Sequence, residues 1–93
     1  MMSSNTNNVY KIEKVVRTIS RKHTCKILFL IRNDPVRFTQ LVYEARVSPG
    51  ALSDRLKDLL SMKVIEKSGD YYKLTEKGNR LVSLLEELLV FSD

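Results

Sequence analysis

What this 93-residue chain lacks narrows its function before any motif is considered. No stretch approaches the roughly 20 apolar residues needed to span a bilayer, and the opening MMSSNTNN has neither the charged nor the apolar block of a signal peptide. A soluble, cytoplasmic protein is expected. The one cysteine, Cys25, has no partner for an internal disulfide, and beside a single histidine it falls short of a four-ligand zinc site. No glycine-rich phosphate loop, paired-carboxylate site or metal-ligand cluster is visible. His23, between Lys22 and Thr24, lacks the nucleophile and orienting group that a catalytic base needs. No enzymatic activity, cofactor or metal is expected. The length itself excludes two lobes around a cleft and allows one domain, taken as residues 9–93 behind a frayed tail at residues 1–8.

What is present is enough apolar residue to fold and an excess of positive charge. The chain is 43% hydrophobic and 29% charged, a globular balance. Its net charge of +5 points to an acidic partner. The charge is unevenly spread. Residues 1–23 carry Lys11, Lys14, Arg17, Arg21 and Lys22 against Glu13, whereas residues 75–93 carry Lys77 and Arg80 against Glu76, Glu86, Glu87 and Asp93. A basic front and a mildly acidic back suit a molecule that turns one face to a polyanion.

Apolar spacing supplies the elements. Val9, Ile12, Val16 and Ile19 recur at intervals of three and four, so a helix is expected to about Ser20, with Lys11, Lys14, Arg17 and Arg21 on its other face. Thr24 is read as the cap of a second helix through the apolar run Ile27–Ile31, with Cys25 at its start as a small buried thiol. Asn33-Asp34-Pro35 stops it. Thr39 opens a short helix to about Ala45, with Leu41 and Val42 inward, and a turn through Arg46 and Val47 follows. Ser48-Pro49 is a strong start signal, a capping hydroxyl followed by proline at the first helical position. Leu52, Leu56, Leu59 and Leu60 then form one narrow stripe.

The β-prone runs 64–68 and 71–74 flank Gly69-Asp70, which reads as a two-residue hairpin. In that register Ile65 opposes Leu74, Glu66 opposes Lys73 and Lys67 opposes Tyr72. Thr75 caps a last helix reaching Val90 or Phe91. The fold class expected is mainly α with a small β-hairpin, a winged helix-turn-helix.

The stretches Arg37-Phe38-Thr39-Gln40-Leu41, then residues 47–59 (VSPGALSDRLKDL), then Tyr72-Lys73-Leu74-Thr75-Glu76-Lys77-Gly78 resemble the HxlR-type winged-helix transcriptional regulators over about residues 20–90. MarR and ArsR regulators are similar but match less closely. The resemblance implies a homodimeric DNA-binding regulator whose Ser48–Ser61 helix enters the major groove while the wing touches the adjacent backbone. This chain departs from the family in three ways. Its wing is shorter, no cysteine precedes its first helix, and Arg46 stands in a turn where relatives often have glycine.

With the leucines inward, Gly50, Ser53, Asp54 and Lys57 point away from the core. Gly50 allows close backbone approach, Ser53 and Lys57 suit bases or phosphates, and Asp54 could accept from a cytosine amino group. The helix N-terminus at Ser48 attracts phosphate. Arg37 and Thr39 before it, and Lys67 and Ser68 near the wing tip, complete the expected contact set for double-stranded DNA. Lys73 is left out because Glu66 faces it across the hairpin.

The last helix carries more apolar residue than one small domain needs. Leu81, Leu84, Leu85, Leu88 and Phe91, with Val9, Ile12, Val16 and Ile19, are therefore expected to form a homodimer interface. Two recognition helices roughly 34 Å apart would read an inverted repeat. A protein-interaction module without DNA readout is the rival expectation, favoured by the near-neutral charge of residues 48–74. An architectural or RNA-binding protein using charge alone is a third.

Overall fold

The computed structural model describes residues 2–93, with side chains from residue 6 onward. The order is α1 (Met2–Ile19), α2 (Thr24–Asn33), β1 (Val36–Arg37), α3 (Phe38–Ala45), α4 (Pro49–Ser61), β2 (Ile65–Ser68), β3 (Tyr71–Leu74) and α5 (Glu76–Glu87), with a 3-10 turn over Leu88–Phe91. This is the mainly helical winged helix-turn-helix that the sequence predicts. The domain's first helix, however, starts earlier than expected. Of the tail expected at residues 1–8, Met1 lies outside the described residues, and from Met2 the backbone is helical. No proline or glycine interrupts that segment, and each residue added to an existing helix gains one hydrogen bond.

One core holds the body together. Ile27, Leu28 and Ile31 of α2, Leu41 and Ala45 of α3, and Leu52, Leu56 and Leu59 of α4 are buried together with Val64, Ile65, Tyr72 and Val82. A fully buried leucine is worth about 1.5–3 kcal/mol, so the three from α4 alone anchor that helix firmly. Leu60, read as part of the same stripe, is instead 37% exposed, because one residue past Leu59 turns a side chain about 100° away.

The hairpin pairs as its two-residue turn dictates: Ile65 with Leu74, Glu66 with Lys73 and Lys67 with Tyr72, with Gly69 at φ 60 in the turn. A third strand, not foreseen, joins the sheet in the order β1-β3-β2. Val36 pairs with Tyr72 and Arg37 with Tyr71. Two residues are too few to show a period of two, and their partner lies some 35 positions away, so nothing local announces the strand.

Turn residues correct further expectations. Thr24 does not cap α2. It is the first helical residue, buried, with its hydroxyl unpartnered among the described residues, while His23 takes the cap position in the left-handed conformation. Cys25 is exposed, not buried, because it follows Thr24 around the helix to the solvent side, where its Sγ donates to the Ile19 carbonyl at 3.4 Å. Thr39 is the second residue of α3, behind Phe38. The α3–α4 turn places Arg46 at φ 56 and ψ 48, in the left-handed region that favours glycine.

α4 ends in a Schellman motif. Lys63 stands at φ 63, its N–H donates to the Leu60 carbonyl at 3.0 Å, and the Val64 N–H donates to the Leu59 carbonyl at 3.2 Å. The Thr75-Glu76-Lys77-Gly78 segment clips α5 onto that end. Thr75 Oγ1 donates to the Lys63 carbonyl at 2.6 Å and accepts from the Gly78 N–H at 3.0 Å. Lys77 Nζ donates to the Met62 carbonyl at 2.9 Å. A Cβ on Gly78 would overlap the Val64 carbonyl oxygen, so only glycine allows this approach.

Candidate nucleic-acid interface

The candidate surface is built on α4. Ser48 is its N-cap, and its hydroxyl accepts from the Ala51 N–H at 3.2 Å while keeping a hydrogen to donate outward. Gly50, Ser53, Asp54 and Lys57 follow at helical intervals of three and four, on one exposed face. A Cβ at Gly50 would meet nothing within 4 Å, so the backbone there is open to a close approach. Ser53, Asp54 and Lys57 have no hydrogen bond or ion pair among the described residues. The opposite face is the buried Leu52, Leu56 and Leu59, so the polar face is presented on a rigid base.

A second group gathers beside the sheet. Arg37 lies on β1 with its guanidinium 5.0 Å from the centre of the Tyr71 ring, and the Lys67 ammonium lies 5.6 Å from the Tyr72 ring. These cation–π contacts hold both charges over the sheet instead of letting them trail in solvent. Arg37, Thr39 and Lys67 share a cleft of about 350 Å³ whose remaining lining is Phe38, Asp70 and Tyr72. The unforeseen strand β1 is what brings Arg37 to the wing. Ser68 pairs with Tyr71 outside that cleft. Lys73 pairs with Glu66 at 3.4 Å, as its cross-strand position implies.

Two residues of the 47–59 stretch to which the sequence assigns no contact hold α4 in place. Arg55 on α4 donates from Nε to the Lys22 carbonyl at 2.9 Å, and Asp58, one turn on, makes an ion pair with Arg21. Together they brace α4 against the α1–α2 joint. Arg21 is thereby bound to the protein, while Lys14, Arg17 and Lys22 remain exposed. Burial, then the neighbouring Lys26, Lys22 and Arg55, holds the His23 imidazole below its usual 6.5. On the far side of the body Arg32 grips Glu86 through two bonds of 2.6 and 2.7 Å, joining α2 to α5 and holding the Glu86 carboxyl below its usual range.

A short helix, a tight turn and a capped second helix with a free polar face, followed by a hairpin, define a helix-turn-helix with a wing. A family model described as winged helix-turn-helix matches residues 22–91, and the chain belongs to that family. It is similar to an HTH-type transcriptional regulator of Methanocaldococcus jannaschii at 29% identity, over 76% of this chain and 72% of that protein. Among solved structures it is similar to quinone-bound YodB from B. subtilis, with 26% identity and a TM-score of 0.82 over 89% of this chain and 94% of that one. The transcriptional repressor BigR from Xylella fastidiosa shares the fold at 16% identity, with a TM-score of 0.80 over 100% of this chain and 97% of its own. Among the described residues, no helix is long and apolar enough to cross a membrane.

Proposed function

We propose that this chain is a sequence-specific, double-stranded-DNA-binding transcriptional regulator of the HxlR type, acting in the cytoplasm as a homodimer on an inverted repeat. The observation that carries the reading is the exposed, unpartnered face of Gly50, Ser53, Asp54 and Lys57 on a helix whose other face is locked into the core. In this reading Ser53, Asp54 and Lys57 meet base edges, Gly50 lets the backbone close in, and Ser48 with the α4 N-terminus meets phosphate. Arg37, Thr39 and Lys67 contact the flanking backbone from their shared cleft, and Ser68 adds a contact from the wing.

Dimerisation is supported by α1, whose side chains from Thr6 to Arg17 are all exposed although Val9, Ile12, Val15 and Val16 are apolar. Leu84, Leu88 and Phe91 are likewise 56–81% exposed near the other end of the chain. Exposed apolar area of this kind marks an interaction surface. Ile19, Leu81 and Leu85 are half-buried and contribute only their outer edges. Dimerisation would set the two α4 helices roughly one turn of DNA apart.

Titrating labelled genomic fragments over a salt series tests the reading. Arg37 and Lys67 from two protomers neutralise four phosphates, so log affinity should fall against log salt with a slope of about −4. Ser53→Glu with Lys57→Glu should lower affinity at least about a hundredfold while the protein's size in solution is unchanged. Unaltered binding in that variant would remove α4 as the reader. A partner-binding module is the second reading, favoured by Tyr43, 84% exposed beside Leu30 and Val42. It predicts no measurable DNA binding at any salt.

A further inference from the structure

We propose that the joint between α1 and α2 is a second surface for the DNA backbone, on which Lys22, Lys26 and Arg55 take phosphates beside the α4 face. This surface, which rests on the DNA reading above, shares no residue with the Arg37–Lys67 cleft. Arg55 stands on α4 one residue past Asp54, about 100° around the helix from it, and its Nε donates to the Lys22 carbonyl at 2.9 Å. That bond draws the chain at Lys22 to the flank of α4 and uses one of the five N–H groups of the guanidinium. The other four have no acceptor among the described residues, and their fixed fork suits a phosphate.

Lys22 and Lys26 are exposed and make no ion pair or side-chain hydrogen bond among the described residues. The His23 imidazole registers all three charges, which after burial lower its pKa, and no carboxylate stands among the groups acting on it. Arg32 and Lys73, by contrast, are paired with Glu86 and Glu66. At the joint the carboxylate of Asp58 is already taken by Arg21. The result is a concentration of positive charge without a counterion from the described residues. α2 adds to it, because His23 supplies no side-chain cap and the positive end of the helix dipole emerges at the same place. A helix about 10–12 Å across fills a major groove about 12 Å wide, so a phosphate backbone runs along each of its flanks. With the Gly50–Lys57 face turned to the bases, Arg55 and the two lysines behind it meet one of those backbones.

The salt series on the labelled genomic fragment bound most tightly tests this surface, run on the full chain and on Lys22→Gln with Lys26→Gln. Both changes fall on exposed, unpaired side chains, and Arg55 is left in place because it also braces α4. Lys22, Lys26 and Arg55 from two protomers add six phosphates to the four taken by Arg37 and Lys67, so the slope of log affinity against log salt should steepen from about −4 to about −9. The double variant should flatten it to about −5 and weaken the fragment and competitor DNA by the same factor, since phosphates carry no sequence. Lys11→Gln with Lys14→Gln removes equal charge roughly 8–12 Å up the axis of α1 from its end at Ile19 and should leave the slope near −9. A slope of about −4 in the unaltered protein overturns the proposal and leaves the DNA reading standing. So does an unchanged slope in the Lys22 and Lys26 variant, a loss confined to the specific fragment, or equal flattening by the Lys11 and Lys14 changes. Absence of DNA binding at any salt removes the DNA reading itself, and this surface with it.

Discussion

α1 and α4 carry similar patterns, a stripe of aliphatic residues at helical spacing and a face of polar and charged ones, yet they end in opposite situations. In α4, Leu52, Leu56 and Leu59 are at most 2% exposed, whereas in α1 Val9, Ile12 and Val16 are 49–60% exposed. Spacing therefore shows that a helix has a face to bury without showing what buries it. α4 finds its cover within the chain, from α2, α3 and the sheet, and so its polar face is held still. α1 finds none among the described residues, which is why the proposed partner is a second copy.

The sharpest way to break this comparison is to make the same kind of change in both helices. Leu56→Ala should cost about 2–5 kcal/mol of folding stability, read by denaturant titration, because it leaves a cavity in a closed core. Ile12→Asp should leave the folded spectrum intact and instead shift the protein from dimer to monomer in sedimentation. If Ile12→Asp unfolds the chain, or if the unaltered protein is already monomeric at micromolar concentration, α1 is covered in some other way and the contrast fails. The joint between body and α5 gives the next largest effect. Gly78→Ala drives a methyl into the Val64 carbonyl and should cost about 1–3 kcal/mol by overpacking, though α5 itself would gain helix propensity from alanine. A stability equal to or above that of the parent would mean that α5 rides free of the α4–β2 turn.

These effects also mark where reading the sequence stops working. The hairpin register was legible to the residue, since a two-residue Gly-Asp link leaves one way to align four-residue strands. Ser48-Pro49 located α4 because capping is local chemistry. Strand β1, the Arg55–Lys22 and Arg21–Asp58 ties, and the exposure of Cys25 were not legible. Each depends on where a distant segment lies, and a single sequence carries no record of that. The exposed polar residues of α4 were readable as a face. That Arg37 and Lys67 share one cleft was not, because β1 is what joins them.

Arg46 sharpens the comparison at smaller scale. It is a side-chain-bearing residue in the left-handed region, where non-glycine residues carry a steric cost of about 1–2 kcal/mol. Arg46→Gly removes that cost but adds freedom to the unfolded chain, so a net gain of about 0.5–1 kcal/mol in stability is expected. A loss on substitution would mean that the arginine side chain holds the turn by a contact stronger than the strain.

The smallest expected effect lies at the joint where α1 meets the body. His23 is left-handed at φ 75, and burial, with Lys26, Lys22 and Arg55 next, lowers its pKa from 6.5. The folded chain thus takes up a proton there less readily than the unfolded chain does. The stability that follows from this is complete above about pH 6.5 and is lost as pH falls through the lowered folded value. Asparagine tolerates the left-handed backbone and carries no charge, so His23→Asn should keep the turn while removing this dependence. The difference in melting temperature between His23→Asn and the parent should therefore widen in favour of the variant as pH drops below 6.5. The separate contribution of Glu86, whose carboxyl is also held low, sets in only at more acid pH, below its ordinary 4.5, and is common to both proteins. A constant difference across the whole range would mean that neither burial nor the three cations around His23 oppose its protonation. The joint that braces α4 against α1 would then be insensitive to acid.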